Sequence, residues 1–207
     1  MKGKSLLQLR RHEEAMREFD KVSGYFEEQY RDTKQRIYCA SGLVETVAYM
    51  TEAAVNKEKN GAIAVNSAWC MAYYLKAYSL IDLQRPGEAK ALLNRAIAMA
   101  PHDATYQSEL GHAYQMEKDW PSAMAAFKAA EDSATNWISP SDEVRKMQLN
   151  RALRGQAYVL VEQKKLEEAE AIYRRCLENN PRDIQAQNEL KYIARIKAQT
   201  GSPAGSQ

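Results

Sequence analysis

The sequence predicts an all-α protein built as a helical repeat, and three observations predict it. Ala, Leu, Glu, Lys, Arg, Gln and Met dominate, while Gly and Pro number only 9 and 6 of 207 residues; these are the residues that lose least on entering a helix. Small residues recur twelve positions apart, as Gly3 and Ala15, Ala77 and Ala89, Gly111 and Ala123, Ala157 and Ala169. That spacing places one small residue on each of two consecutive helices with a turn between them. The unit around Gly111 also returns thirty-four residues earlier around Ala77, and a fixed period of this length marks a repeat architecture.

Residues 1–24 read as a partial first unit, with Gly3 and Ala15 at the crossing and Phe19 and Val22 as core residues of the second helix. Its first helix is short, which fits either a piece of a longer protein or a naturally short helix. Residues 25–66 are helical in composition but match the unit poorly. They are expected to form a degenerate helix pair at about 26–41 and 43–57, with Asn66 or Ser67 capping the next helix. Ile63-Ala64-Val65 is too short a run to argue for a sheet.

Residues 70–103 form a full unit, with Ala77, Leu80, Ala89, Leu93 and Ala96 on two helices, a turn at Arg85-Pro86-Gly87, and Pro101 closing it. Residues 104–137 form the next. Gly111 and Ala123 are the small residues where the helix axes cross, and Tyr114, Trp120, Phe127 and Ala130 fill the space beside them at helical spacing. Residues 138–149 break the period: Ser139-Pro140-Ser141-Asp142 interrupts the chain, and Ser141 or Asp142 caps a helix running to about Gln163. That helix is about two turns longer than its counterparts, so its start is expected to project beyond the stack.

Residues 150–183 complete the last unit, with Ala157, Leu160, Leu166, Ala169, Tyr173 and Cys176, closed by Pro181. Its register has a rival, because Gly155 and Tyr158 align with Gly111 and Tyr114 if two residues are inserted before Leu166. Residues 184–199 read as a capping helix, apolar at Ile184, Leu190, Ile193 and Ile196 and polar elsewhere. The small polar tail 200–207 is expected to be disordered.

The chain carries 29 basic and 27 acidic residues, a net charge of +2, with both signs interspersed. Nucleic acid is thereby excluded as an expected partner, because neutralising a row of phosphates needs a clustered cationic face. No window holds the ~18 consecutive apolar residues of a membrane span, and residues 1–20 lack the apolar core of a secretory signal. The sequence reads as that of a soluble protein without membrane insertion. The cytoplasm is slightly favoured, and the periplasm is the alternative for a chain whose signal has been removed. Cys39, Cys70 and Cys176 lie far apart, without a CxxC pair or a histidine at metal-ligand spacing. They are expected to be buried structural thiols, with neither a metal site nor a disulfide framework.

The segments Leu110-Gly111-His112-Ala113-Tyr114, Trp120-Pro121-Ser122-Ala123 and Phe127-Lys128-Ala129-Ala130 together resemble the tetratricopeptide repeat. The resemblance implies a right-handed superhelical solenoid of antiparallel helix pairs. It also implies that the first helices of successive repeats line a concave groove that binds a peptide, a helix or a partner surface. Carried over by spacing, with Ala157 matched to Gly111, that groove is lined by Met71, Tyr74, Tyr78 and Ile81, then Thr105, Ser108, His112, Gln115 and Met116, then Arg151, Arg154, Tyr158 and Glu162. Aromatic, methionine and arginine side chains suit a peptide with apolar anchors and acidic character. The competing reading makes Tyr74, Tyr78 and Tyr158 packing residues and leaves Arg151 and Arg154 solvated. Some members of the family grip the acidic C-terminal tails of heat-shock chaperones through Lys, Asn and Arg on neighbouring first helices. Here the matching places hold Tyr74, Tyr78 and Glu109, so such binding is not expected.

Catalysis finds no support in the sequence. His12, His102 and His112 are scattered, with no carboxylate or cysteine placed to make a nucleophile pair, and the glycines form no phosphate loop. No catalytic residue, cofactor or metal ligand is therefore assigned. Clusters such as Glu167-Glu168 near Lys164-Lys165 read as solvated helix faces. The expected function is a protein–protein interaction scaffold, with a protein or peptide partner held in the groove. The alternatives are a homo-oligomerising module, using the helix at 142–163 or the 25–66 segment, and a regulatory fragment of a larger protein.

Overall fold

The computed structural model describes residues 2–138 and 140–200. The sequence expectation for the tail falls outside them, apart from position 200 at the end of the last helix. In chain order the elements are α1 (Lys2–Gln8), α2 (His12–Gln29), β1 (Arg36–Ala40), α3 (Leu43–Val55), β2 (Ala62–Asn66), α4 (Ala68–Asp82), α5 (Pro86–Met99), α6 (Ala104–Met116), α7 (Trp120–Asn136), α8 (Asp142–Glu162), α9 (Leu166–Asn179) and α10 (Ile184–Thr200). Helices pack in antiparallel pairs, α1 with α2, α4 with α5, α6 with α7 and α8 with α9. Each second helix also packs on the next first helix, and α10 closes the stack against α9. The architecture is the all-α solenoid that the sequence predicts.

Within each pair a small residue on the first helix meets a large one sixteen positions later on the second. Gly3 lies against Phe19, where an added Cβ would come within 2.5 Å of the ring, and Gly111 lies against Phe127, where it would come within 2.7 Å. Ala77 with Leu93 and Ala157 with Tyr173 repeat the arrangement in fully buried clusters. The register of the last unit is therefore the one that matches Ala157 to Gly111. Gly155 serves a different contact, letting α8 close onto Phe127 of the preceding unit, where a Cβ would stand 2.3 Å from the ring.

The turns between paired helices repeat as well. Arg10, Gln84, Lys118 and Lys164 each adopt a left-handed backbone, with φ of 56°, 59°, 59° and 61°. Between units, a proline two positions before an aspartate sets the next helix. Asp103 accepts from the N–H groups of Thr105 and Tyr106 at the start of α6, and Asp183 accepts from Ala186 N–H at the start of α10. Gln107 and Gln187 donate back to the carbonyls of Pro101 and Pro181. Ser141, rather than Asp142, caps α8 by accepting from Val144 N–H. The first two turns of α8 are exposed, with Met147 at 64 %, as expected for a helix that outruns the stack.

Asp103 gives the fold a pH dependence. Burial pushes its carboxyl up to about 6, against the backbone N–H groups that favour the charged form. A raised folded-state value means that this contribution to stability is full below the unfolded value of about 4 and is lost as pH rises through about 6. Asp103→Asn keeps the cap and removes the charge. It is expected to stabilise the protein by about 2 kcal/mol at pH 8 and to leave it unchanged at pH 4. Thermal unfolding followed across that range checks this, and equal gains at both pH values would contradict it.

The segment 25–66 departs from the expected helix pair. α3 occupies the second expected helix, but the first, expected at 26–41, is absent: α2 runs on to Gln29, and the chain then turns and enters β1. β1 and β2 form a two-stranded parallel sheet with Arg36 opposite Ala62 and Ala40 opposite Asn66, and α3 makes the crossover between them. Parallel strands need cover on both faces. Tyr38 and Ala40 face α3 through Tyr49 and Ala53, while Cys39 and Val65 face Trp69, Cys70 and Tyr73 on α4. The strand alternation of period two thus serves two different helix layers.

The expectation of three free thiols is corrected here too. Cys39 and Cys70 form a disulfide, with Cα atoms 6.2 Å apart, while Cys176 is free and buried. The insertion also reaches two later inter-unit loops. Tyr49 lies 5.1 Å from Trp137, whose ring stacks on His102 at 3.9 Å, and His102 Nε2 is 3.0 Å from Glu52.

Candidate functional site

α6 packs beside α8 and α10 packs on α9, and together they leave a concave channel lined by helix faces and by the rings of Phe127 and Tyr173. Its cavity measures about 720 Å³, within the ~300–1,000 Å³ range of ligand sites. Ser108, His112, Gln115 and Met116 come from α6, and Arg151, Arg154, Gly155 and Tyr158 from α8. Seven residues singled out from sequence spacing therefore line one cavity: Ser108, His112, Gln115, Met116, Arg151, Arg154 and Tyr158. The channel is narrowed at Gly155, whose carbonyl accepts from Gln115 Nε2 at 3.2 Å.

The candidates on α4 do not join them. Met71 and Tyr74 are half-buried, Tyr74 packing against Tyr106 at 5.2 Å between ring centres. Tyr78 is 38 % exposed on the same helix but does not line this cavity, and Ile81 is buried in the core. Thr105 Oγ1 accepts from Gln148. Gln185, Asn188 and Glu189 of α10 supply the third wall. Sequence reasoning assigned α10 a shielding role alone. The signal that could have found them was the polar face of a helix that follows a proline-aspartate closure like the one before α6.

The two arginines are part-buried, with side chains 36 % and 26 % exposed, and each is already paired with a carboxylate. Arg151 forms an ion pair with Glu109, whose carboxylate is 1 % exposed, and its guanidinium also faces the Tyr74 hydroxyl. His112 Nδ1 lies 3.7 Å from the other carboxylate oxygen of Glu109. Burial works against the charged form of Glu109, but His112 and Arg151 outweigh it and hold the carboxyl below the usual range. Arg154 pairs with Asp183, which also accepts from Asn150 Nδ2 at 3.0 Å while capping α10. Each guanidinium is thus neutralised by a carboxylate rooted in the core.

Other groups in the channel are not committed to ion pairs. Ser108 is 1 % exposed, and its hydroxyl has no hydrogen-bond partner among the described residues. Tyr158 is 42 % exposed. Burial first, and then the neighbouring carboxylates of Glu162 and Glu189, push its hydroxyl above the ordinary tyrosine value. Trp120 stands beside it at 6.5 Å. Among the described residues no group of three or more His, Cys, Asp or Glu is placed to hold a metal ion. No helix among them is long and apolar enough to cross a membrane.

Comparison with known proteins places the repeat units. Family models described as tetratricopeptide repeat match residues 74–136 and 152–183. Among solved structures, the chain is similar to the first TPR of Spaghetti (RPAP3) bound to the HSP90 peptide SRMEEVD. The two share 22 % identity, with 65 % of this chain and 99 % of that one covered and a TM-score of 0.55. It is also similar to the first TPR domain of human RPAP3, at 20 % identity, covering 63 % of this chain and 93 % of that one, with a TM-score of 0.54. At these identities the likeness is one of fold. No curated protein matches the chain.

Proposed function

From the premise that this chain is a tetratricopeptide-repeat protein, we propose that it is a non-enzymatic scaffold that holds a segment of a partner protein in the channel between α6, α8 and α10. The observation that carries this reading is the convergence of seven spacing-selected residues with Gln185, Asn188 and Glu189 on one concave cavity. Tyr158 offers area, and the amides of Gln115, Gln185 and Asn188 offer hydrogen bonds to an extended main chain. No bond is made or broken.

The substitutions that test this must spare Arg151 and Arg154, because removing either strands a buried carboxylate. His112, Tyr158, Gln185 and Asn188 are exposed and can be changed to alanine together. That variant is expected to keep its helical circular dichroism and to lose at least tenfold in affinity for whatever partner the native chain captures. Undiminished capture by the variant would move the site elsewhere. The acidic peptide SRMEEVD, bound by the structural neighbour, is expected not to bind here at micromolar concentration. Its clamp positions hold Tyr74, Tyr78 and Glu109, and the remaining cations are already paired.

Self-association is a second reading, and α3 favours it. Leu43, Val44, Val47 and Val55 are 79 %, 66 %, 57 % and 74 % exposed. Leu43, Val47, Thr51 and Val55 lie on a single i, i+4 ridge of the kind that packs against its own copy. Sedimentation over a hundredfold concentration range decides it: a constant monomer mass eliminates this reading, and a mass that Val47→Glu returns to monomer supports it.

A further inference from the structure

We propose that the channel selects a peptide segment carrying a lysine or arginine, whose cation docks on Tyr158 between Glu162 and Glu189, and that it rejects acidic segments. This rests on the groove reading above and reverses the charge preference that the arginines suggest from sequence alone.

The reversal comes from where the carboxylates are. Glu109 and Asp183 are buried, at 1 % and 6 % exposure, and each holds one guanidinium. An acidic ligand would meet guanidiniums whose charge a buried carboxylate already offsets, so the donors they still expose offer it little net attraction. Asp183 is further committed to the α10 N-terminus and to Asn150. By contrast, Glu162 stands one helical turn from Tyr158 on α8, Glu189 lines the same cavity as Tyr158, and neither carboxylate pairs with a lysine or arginine among the described residues. With Glu109 and Asp183 beneath the arginines, the carboxylates around the channel outnumber the guanidiniums.

The half-exposed Tyr158 ring, with Trp120 at 6.5 Å, is the surface on which a cation is attracted by the aromatic quadrupole. Ser108 gives an independent sign that a polar ligand belongs here. Its hydroxyl is buried in the wall of the same cavity without a partner. A buried donor without an acceptor is unfavourable, and a main-chain carbonyl of the bound segment would supply the acceptor.

The test is selection of a phage-displayed random heptapeptide library on the full chain, followed by affinity measurement of the synthetic winners. The expected result is enrichment of Lys or Arg at one position and depletion of Asp and Glu. Affinity should fall at least tenfold on E162K/E189K and on E162Q/E189Q, and salt should weaken binding. Glu162 is exposed and Glu189 partly so, and the neutral pair provides a check independent of charge reversal. Winners rich in Asp or Glu, or basic winners that bind both variants unchanged, overturn the charge inference. If those same winners are still lost on the His112, Tyr158, Gln185 and Asn188 alanine variant, the groove reading survives. Winners indifferent to that variant, or no winners, overturn both.

Discussion

Removing the Cys39–Cys70 disulfide, as Cys39→Ala with Cys70→Ala, is expected to lower the free energy of unfolding by about 3.5 kcal/mol. The bond joins residues 31 apart, and tying the ends of a loop of that length withdraws about this much conformational freedom from the unfolded chain. The loop contains all of α3 and β2, so the cross-link fastens a two-stranded sheet that is marginal by itself to the first turn of α4. Both sulfurs are buried, at 2 % and 0 % residue exposure. A dithiol reductant should therefore act only as fast as the insertion opens, and slower than it reacts with an exposed disulfide. Urea titrations with and without reductant measure the effect. A midpoint that moves in neither the reduced protein nor the alanine pair would show that the cross-link contributes nothing. Loss of the insertion alone, with the α6–α9 units intact, should appear as a separate early transition.

The same segment shows why part of the fold was legible in the sequence and part was not. The repeat units announce themselves locally: a glycine or alanine, a partner twelve positions on, and an aromatic or leucine sixteen positions on all fall within one unit. The parallel sheet has no such local signature. Arg36 and Ala62 meet across 26 residues, and Tyr38, Cys39 and Ala40 read equally well as a buried helix turn when their partner strand is unknown. Once that strand is missed, the disulfide is missed as well. Cys39 approaches Cys70 only because β1 lies along α4.

Legibility of the channel divides in the same way. Spacing along α6 and α8 selects residues on one face of each helix and identifies seven lining residues. It says nothing about which charges across the stack neutralise them. Glu109 reads as an obstacle to chaperone binding, although its position also makes it the counter-ion of Arg151. Asp183 precedes the helix expected at 184–199 and is assigned no partner from sequence, although its carboxylate holds Arg154. The contribution of α10 depends on how the last helix turns back over the channel, which is a tertiary event.

Arg151→Ala is expected to destabilise the protein by about 2–4 kcal/mol, less than the cost of breaking a fully buried pair because the Arg151 side chain is 36 % exposed. The loss lies mainly on Glu109. Its carboxylate is 1 % exposed and would keep only His112, at 3.7 Å, as a nearby cation source. The remedy separates charge from packing: Arg151→Met with Glu109→Leu removes both charges and keeps apolar volume, so the double variant is expected to recover most of the loss. If the double variant is as unstable as the single one, packing rather than the stranded carboxylate is responsible. The pH dependence gives a second discriminator. Glu109 is held below the usual carboxylate range in the fold, so its contribution is full above the unfolded value of about 4.3 and is lost as pH falls through the folded one. The gap between the native chain and Arg151→Ala should therefore be widest at neutral pH and narrow in acid, where protonating Glu109 relieves the variant. A gap independent of pH would place the role of Arg151 in its contacts with Tyr74 and the channel wall, and would return its guanidinium to the set of groups a ligand could engage.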